Sequence, residues 1–408
     1  MKKIIVFSLA FLTAATMSAQ KEVLKEAEKA MKSGQSYTEV LKLVEPAKNN
    51  SETANNVLVY YLPGKAGIKQ FNDLLGKREL KIKFPEDGPV IMADALLGAY
   101  ENYMKALPLD SLPDIKGKVK PKYSKEMISD IVGHYADFNN AAIDYWNAKR
   151  YNDAYKAWDI LLNLPSIPAF ANEKSLKVMA DTLVADIYYN QGLAAWQANE
   201  FGNAINSFRN AIKKGYDKPS IYDYGIAVAQ SGKDNDALLE FASEGNRLFG
   251  AEDTKYLNQI INYYLQTEKY DEALDYLNKA IAEKPDFAQY YALRGIIKDN
   301  QKKRDEAIAD YQEAIKNDPN NSLALFYLGR ALAVKTGELS DNYSKPDFDT
   351  YKATTLIPKY KEAVKLLEEA YKLDPNNRTE ILKVLKIVYY QMDDAAGLES
   401  VKQRQMEE

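Results

Sequence analysis

The chain has 408 residues, no cysteine and one histidine. Without cysteine there is no disulfide, no thiolate metal site and no lipid-modified cysteine behind an export signal. His134, alone and in a helical stretch, can build neither a histidine metal cluster nor a His-paired nucleophile with a second histidine in support; it reads as a structural residue. The glycines are not arranged to cradle phosphate. Gly64, Gly67 and Gly76 match no nucleotide-loop spacing, and the Gly-Lys pairs at 64, 76, 117 and 232 lack the upstream glycine and the following Ser or Thr. Asp347 and Asp349 fall short of a calcium loop, since Tyr351 occupies a ligand position and no glycine follows it. A formal charge of -4 gives no electrostatic footprint for nucleic acid. These absences predict a protein that is not an enzyme and carries no cofactor or metal.

Long apolar runs are missing as well, apart from the start of the chain. Lys2 and Lys3 precede the run Ile4 to Leu12, and the small residues Ala14, Ala15, Ser18 and Ala19 lead to Gln20. This is the layout of a secretory signal peptide over residues 1–20, and the run is too short to cross a bilayer. The expectation is an exported protein, periplasmic or outer-membrane-associated, with no transmembrane segment.

What the chain does have is a period. Ala273 and Ala307, Leu277 and Tyr311, Ala280 and Ala314, and Pro285 and Pro319 are matching pairs, each separated by 34 positions. That is the unit length of a two-helix repeat. In segment 288–321, Tyr291 and Gly295 fall on a first helix, Ala307, Tyr311 and Ala314 on a second, and Pro319 ends the second. Two helices approach closely only where side chains are small, which is the use of Gly295 and Ala307. The pattern resembles the tetratricopeptide repeat, and it recurs in register.

Stepping by this period gives units at 254–287, 218–251, 185–218 and 135–168. The extra residues 169–184 are expected to lengthen the helix leading into Tyr188. A sixth unit is split: its Asp-Pro-Asn-Asn at 374–377 lies 56 residues after the one at 318–321, which leaves 22 residues inserted near 337–358. The array of about six units thus covers 135–377, and residues 378–408 supply capping helices with a polar outer face. Residues 21–134 are less periodic. Helices are predicted at 21–32, 37–48, 52–62, 66–77 and 90–106, separated by Pro63-Gly64, Pro85 to Pro89 and Pro108 to Pro113. Lys116, Lys118, Lys120 and Lys122 fall in the next loop and read as a solvated linker.

The resemblance implies an all-α fold, a right-handed α-solenoid of stacked helix-turn-helix repeats, whose concave surface binds a peptide or partner protein. It places Asn139, Trp146, Tyr189, Trp196, Tyr222, Asn258, Asn262, Phe326 and Arg330 at groove-facing positions. The insertion is expected to leave the solenoid as a surface excursion between the two helices of the sixth unit, and it offers Tyr343, Phe348 and Tyr351 as a second recognition surface. Most of the 30 tyrosines read as interhelix packing. Two functions follow as expectations: a non-enzymatic protein-binding scaffold of the bacterial cell envelope, or a glycan- or nutrient-binding protein that stacks sugars on groove aromatics.

Overall fold

The computed structural model describes residues 21–51, 53–113, 116–176, 179–250 and 254–407. The expected signal segment, 1–20, lies outside them. The chain divides into two compact units, one ending at Phe241 and one starting at Ala242. In the first, residues 21–32 form α1. It is followed by α2 (Tyr37–Lys48), α3 (Leu58–Glu79), α4 (Gly88–Asp110), α5 (Ser124–Gly133), α6 (Asp137–Asn147), α7 (Tyr151–Asn163), α8 (Asp181–Gln197), α9 (Phe201–Lys213) and α10 (Ser220–Gly232). The division falls inside α11 (Asn235–Phe249). The second unit continues with α12 (Lys255–Gln266), α13 (Tyr270–Glu283), α14 (Ala288–Asn300), α15 (Arg304–Asn317), α16 (Ser322–Asp341), α17 (Phe348–Tyr351), α18 (Ile357–Leu373), α19 (Arg378–Gln391) and α20 (Ala395–Glu407). Among the described residues there is no strand, only an isolated bridge between Pro113 and Val119. The architecture is an α-solenoid of stacked hairpins.

The hairpins α6–α7, α8–α9, α10–α11, α12–α13 and α14–α15 fall where the 34-residue period puts them. Three of them, α8–α9, α10–α11 and α14–α15, close on a contact between residues 16 apart. A Cβ added to Gly192 would lie 2.5 Å from the Phe208 ring; the same holds for Gly225 against Phe241 and Gly295 against Tyr311. Only a residue without a side chain lets the aromatic ring of the second helix lie flat on the first. Gly329 meets Leu367 in the same way, 38 residues on, and the surplus over 16 is the 22-residue insertion.

The turn between the helices repeats too. Lys149, Asn199, Lys233, Glu268 and Lys302 all adopt positive φ, between 55° and 64°. The next residue then donates its backbone N–H back into the helix, as Lys303 does to the Lys298 carbonyl at 2.9 Å. This is the left-handed cap that ends many helices, made here without glycine.

Three expectations are corrected. Helices predicted at 52–62 and 66–77 are the single helix α3, which runs through Pro63 and Gly64. Both residues are buried, and the Tyr103 ring of α4 occupies the space a Gly64 side chain would need. That glycine therefore serves close approach and not a turn. Of residues 169–184 only 181–184 lengthen the helix to Tyr188, because α8 starts at Asp181 and the described residues before it, 169–176 and 179–180, are irregular. The insertion at 337–358 is not a surface excursion. It extends α16 to Asp341, forms α17 and a π-helical turn Lys352–Leu356, and leaves only 342–347 outside helices. Leu356 is 1% exposed, and Phe348 and Tyr351 pack on the core shared by α16, α18 and α19. At the chain end, α20 turns Val401 inward and exposes Glu399, Lys402 and Gln403.

Candidate protein-binding groove

In the first unit, α6 and α8 present two stripes of side chains at helical spacing. Asn139, Ile143 and Trp146 lie along α6, and Leu183, Ile187, Asn190 and Leu193 along α8. Two cavities open on these stripes. One, of about 440 Å³, is lined by Tyr135, Asn139, Leu161, Met179, Leu183 and Ile187, among others. The other, of about 140 Å³, lies against Ile143, Trp146, Trp158, Asn190 and Leu193. Among the described residues, neither lining contains a charged side chain. Ile143 and Leu183, 43% and 50% exposed, are apolar groups that this unit leaves in water. The irregular stretch before α8 contributes Ser175 and Met179 to the wall of the larger cavity.

The floor of the groove is fixed by hydrogen bonds. The Trp158 indole N–H donates to Asn139 Oδ1 at 3.0 Å, which ties α7 to α6. Asp159 beside it accepts from Asn163 Nδ2 at 2.9 Å and Gln191 Nε2 at 3.4 Å, and burial raises its carboxyl above the ordinary range despite these bonds. Ser207 Oγ lies 3.0 Å from Gln191 Oε1, joining α9 to α8.

The predicted groove residues separate into two groups. Asn139 and Trp146 line the cavities, and Trp146 meets Tyr151 edge-on at 5.2 Å. Tyr189 and Trp196 join an aromatic cluster on α8 and α10: Tyr189 stacks on Tyr216 at 4.5 Å, and Trp196 packs on Tyr224 at 5.6 Å. Burial pushes the Tyr189 hydroxyl up to about 12. Asn258 is half-buried and Asn262 exposed, one turn apart on α12. In contrast, Tyr222 and Phe326, 1% and 6% exposed, are core side chains and present no surface to a ligand. Arg330 is held by Asp299 at 3.1 Å and lies over the Tyr327 ring. In the insertion, Tyr343 stacks on Tyr351 at 3.8 Å and bonds Asp347, beside Phe348. His134 rests edge-on against Phe71, with Nδ1 3.0 Å from Asp137. Sequence reasoning missed Ile143, Leu183 and Leu193. Their signal was an apolar side chain on the first-helix face that the resemblance assigns to a partner.

Two family models described as tetratricopeptide repeat match the chain, one at residues 189–245 and 297–342, the other at 255–287. The chain carries tetratricopeptide repeats. No curated protein matched it. Among solved structures it is similar to a repeat protein of this kind from Bacteroides fragilis, at 22% identity over 63% of this chain and 98% of that one, with a TM-score of 0.35. It is also similar to the C-terminal part of a repeat-containing protein from Cytophaga hutchinsonii, at 13% identity over 64% and 91%, TM-score 0.36. The type IV pilus biogenesis factor PilW matches at 13% identity over 54% and 91%, TM-score 0.35. At these identities the likeness is one of fold alone. The matched tetratricopeptide repeats suggest a scaffold for protein–protein interaction, and the described residues contain no helix long and apolar enough to cross a membrane.

Proposed function

We propose that this protein is a non-enzymatic scaffold of the bacterial cell envelope, exported by its first 20 residues, that receives a peptide segment of a partner between α6 and α8. The two cavities, with no charged side chain among their described lining residues, carry this reading. Asn139 in the larger and Trp146 in the smaller are seven helical residues apart, about 10 Å at 1.5 Å per residue. A peptide in the polyproline II conformation, with three residues per turn and a rise of about 3.1 Å, covers that distance in three residues and turns i and i+3 to the same face. The groove therefore suits a segment with apolar side chains at i and i+3, the first larger than the second. The amides of Asn139 and Asn190 are placed to meet its backbone.

Binding of a peptide array with apolar pairs at varied spacing, repeated with Ile143→Asp combined with Leu183→Asp, tests the reading. The wild type should prefer the i, i+3 spacing, and the double variant should bind about tenfold more weakly, as loss of an interface anchor does. Its stability should change by no more than about 0.5 kcal/mol per site, because both side chains face water. Indifference of the array to both substitutions would remove the groove from the function. Retention on a polysaccharide column with no peptide binding would favour the glycan reading.

A further inference from the structure

The loop after α4 does more than connect. Residues 111–122 contain four lysines and one acid, Asp114, a local charge of +3 in a chain whose total is -4, so the remainder sums to -7. All of the described residues from 111 to 122 are exposed. A solvated linker with that composition would repel itself and extend, yet this one is folded back. Val119 bridges Pro113, and buried Asp110 gathers the loop's end: its carboxylate accepts the backbone N–H groups of Lys122, Tyr123 and Ser124 at 3.1, 2.8 and 2.7 Å, and the Ser124 hydroxyl at 2.7 Å. The arrangement holds two apolar side chains outward beside the lysines, Leu112 at 56% and Val119 at 55% exposure.

From this geometry we infer that the loop docks the protein on an anionic lipid surface. Lysines supply attraction to lipid phosphates, and Leu112 and Val119 enter the boundary between headgroups and acyl chains. An acidic protein patch would attract the exposed lysines but would leave those two side chains in water; a lipid surface suits both. The remainder of the chain, carrying -7, is repelled by the same surface, so the loop also sets which face turns toward the membrane.

Vesicle flotation of the full chain decides the matter. Vesicles of phosphatidylglycerol and phosphatidylcholine in equal parts should carry the protein, and pure phosphatidylcholine should not. Changing Lys116, Lys118, Lys120 and Lys122 to Gln should lower the partition coefficient by at least tenfold, given roughly fivefold per lysine near an anionic surface. Leu112→Ser with Val119→Ser should reduce it severalfold and leave the salt dependence unchanged. As a control for net charge, Lys361, Lys365, Lys383 and Lys386, all exposed, changed to Gln should leave binding at the wild-type level. Equal loss in the control, failure of the wild type to float, or unchanged flotation of the loop variants overturns the proposal. Capture on soluble polyglutamate without flotation would assign the loop to an acidic protein instead.

Discussion

In the unit ending at Phe241, the first helices of the hairpins turn Ile143, Trp146, Leu183 and Leu193 toward open cavities. In the unit from Ala242 onward, the corresponding helices α14 and α16 carry Arg294, Lys298 and Arg330, and these are occupied. Arg294 and Lys298 both reach the Asp310 carboxylate, at 2.6 and 2.8 Å, and Arg294 also donates to Asn278 Oδ1 at 2.8 Å. Arg330 is tied to Asp299, Arg304 to Glu338, and Lys335 to Asp305. One repeat architecture thus carries two surface chemistries. Where the first helices carry these ion pairs, they are tied to the helices packed on them; where they are apolar and open, their surface stays unfilled. The backbone period sets the scaffold, and the side chains on its first helices decide what surface chemistry that scaffold presents.

The sharpest way to break the comparison is to remove the centre of the ion-pair set. Asp310 has 7% of its side chain exposed, against 19% for Arg294 and 17% for Lys298. Asp310→Ala strands two cations in a largely dry site and should cost about 3 kcal/mol, near the low end for breaking a buried pair. Urea melts should show the loss in the second unit. Replacing Arg294, Lys298 and Asp310 together by Leu should recover most of it, since no charge is then left unpaired. If the single variant melts like the wild type, the ion pairs do not lock this unit.

A second substitution tests whether packing is equally tight where the surface is sealed. Ala307 is fully buried at the crossing of α15 with its neighbours. Ala307→Leu should overpack the crossing and cost about 2 kcal/mol. An unchanged urea midpoint would mean that the 34-residue register does not describe this contact.

These positions show what the sequence made legible. The 34-residue period and its small residues located five hairpins, because close helix approach demands Gly or Ala at fixed places. The same demand misled the reading at Gly64, where close approach to Tyr103 looks in sequence like a turn after Pro63. The period also assigned Tyr189 and Tyr222 the same place on the first helix. One is half-buried and the other covered, since what lies over a position depends on its neighbour in space. The larger cavity was invisible for a related reason. Its wall includes Ser175 and Met179 from an irregular stretch, whose path no periodicity dictates.

In the open unit, a smaller effect is expected at the groove floor. Asn139→Ala leaves the Trp158 indole N–H without its acceptor, which should cost about 1 kcal/mol. Trp158 fluorescence should shift as its hydrogen bond is lost. An unchanged spectrum and midpoint would mean that the indole finds water through the cavity, so the floor is wetter than its apolar lining implies.

The smallest effect concerns the turns that both units share. Lys302 has φ of 64° and Asn199 of 61°, in the left-handed region where a Cβ meets the following carbonyl. For lysine that crowding costs roughly 1 kcal/mol, whereas asparagine tolerates the region better because its short side chain bonds locally. Glycine removes the crowding but gives the unfolded chain more freedom, which returns about 0.5 kcal/mol. Lys302→Gly should therefore stabilise the second unit by about 0.5 kcal/mol, and Asn199→Gly should change the first by less. Paired urea melts of the two variants measure the difference. A loss of stability at Lys302 would mean that its side chain, and not only its backbone, holds the turn between α14 and α15.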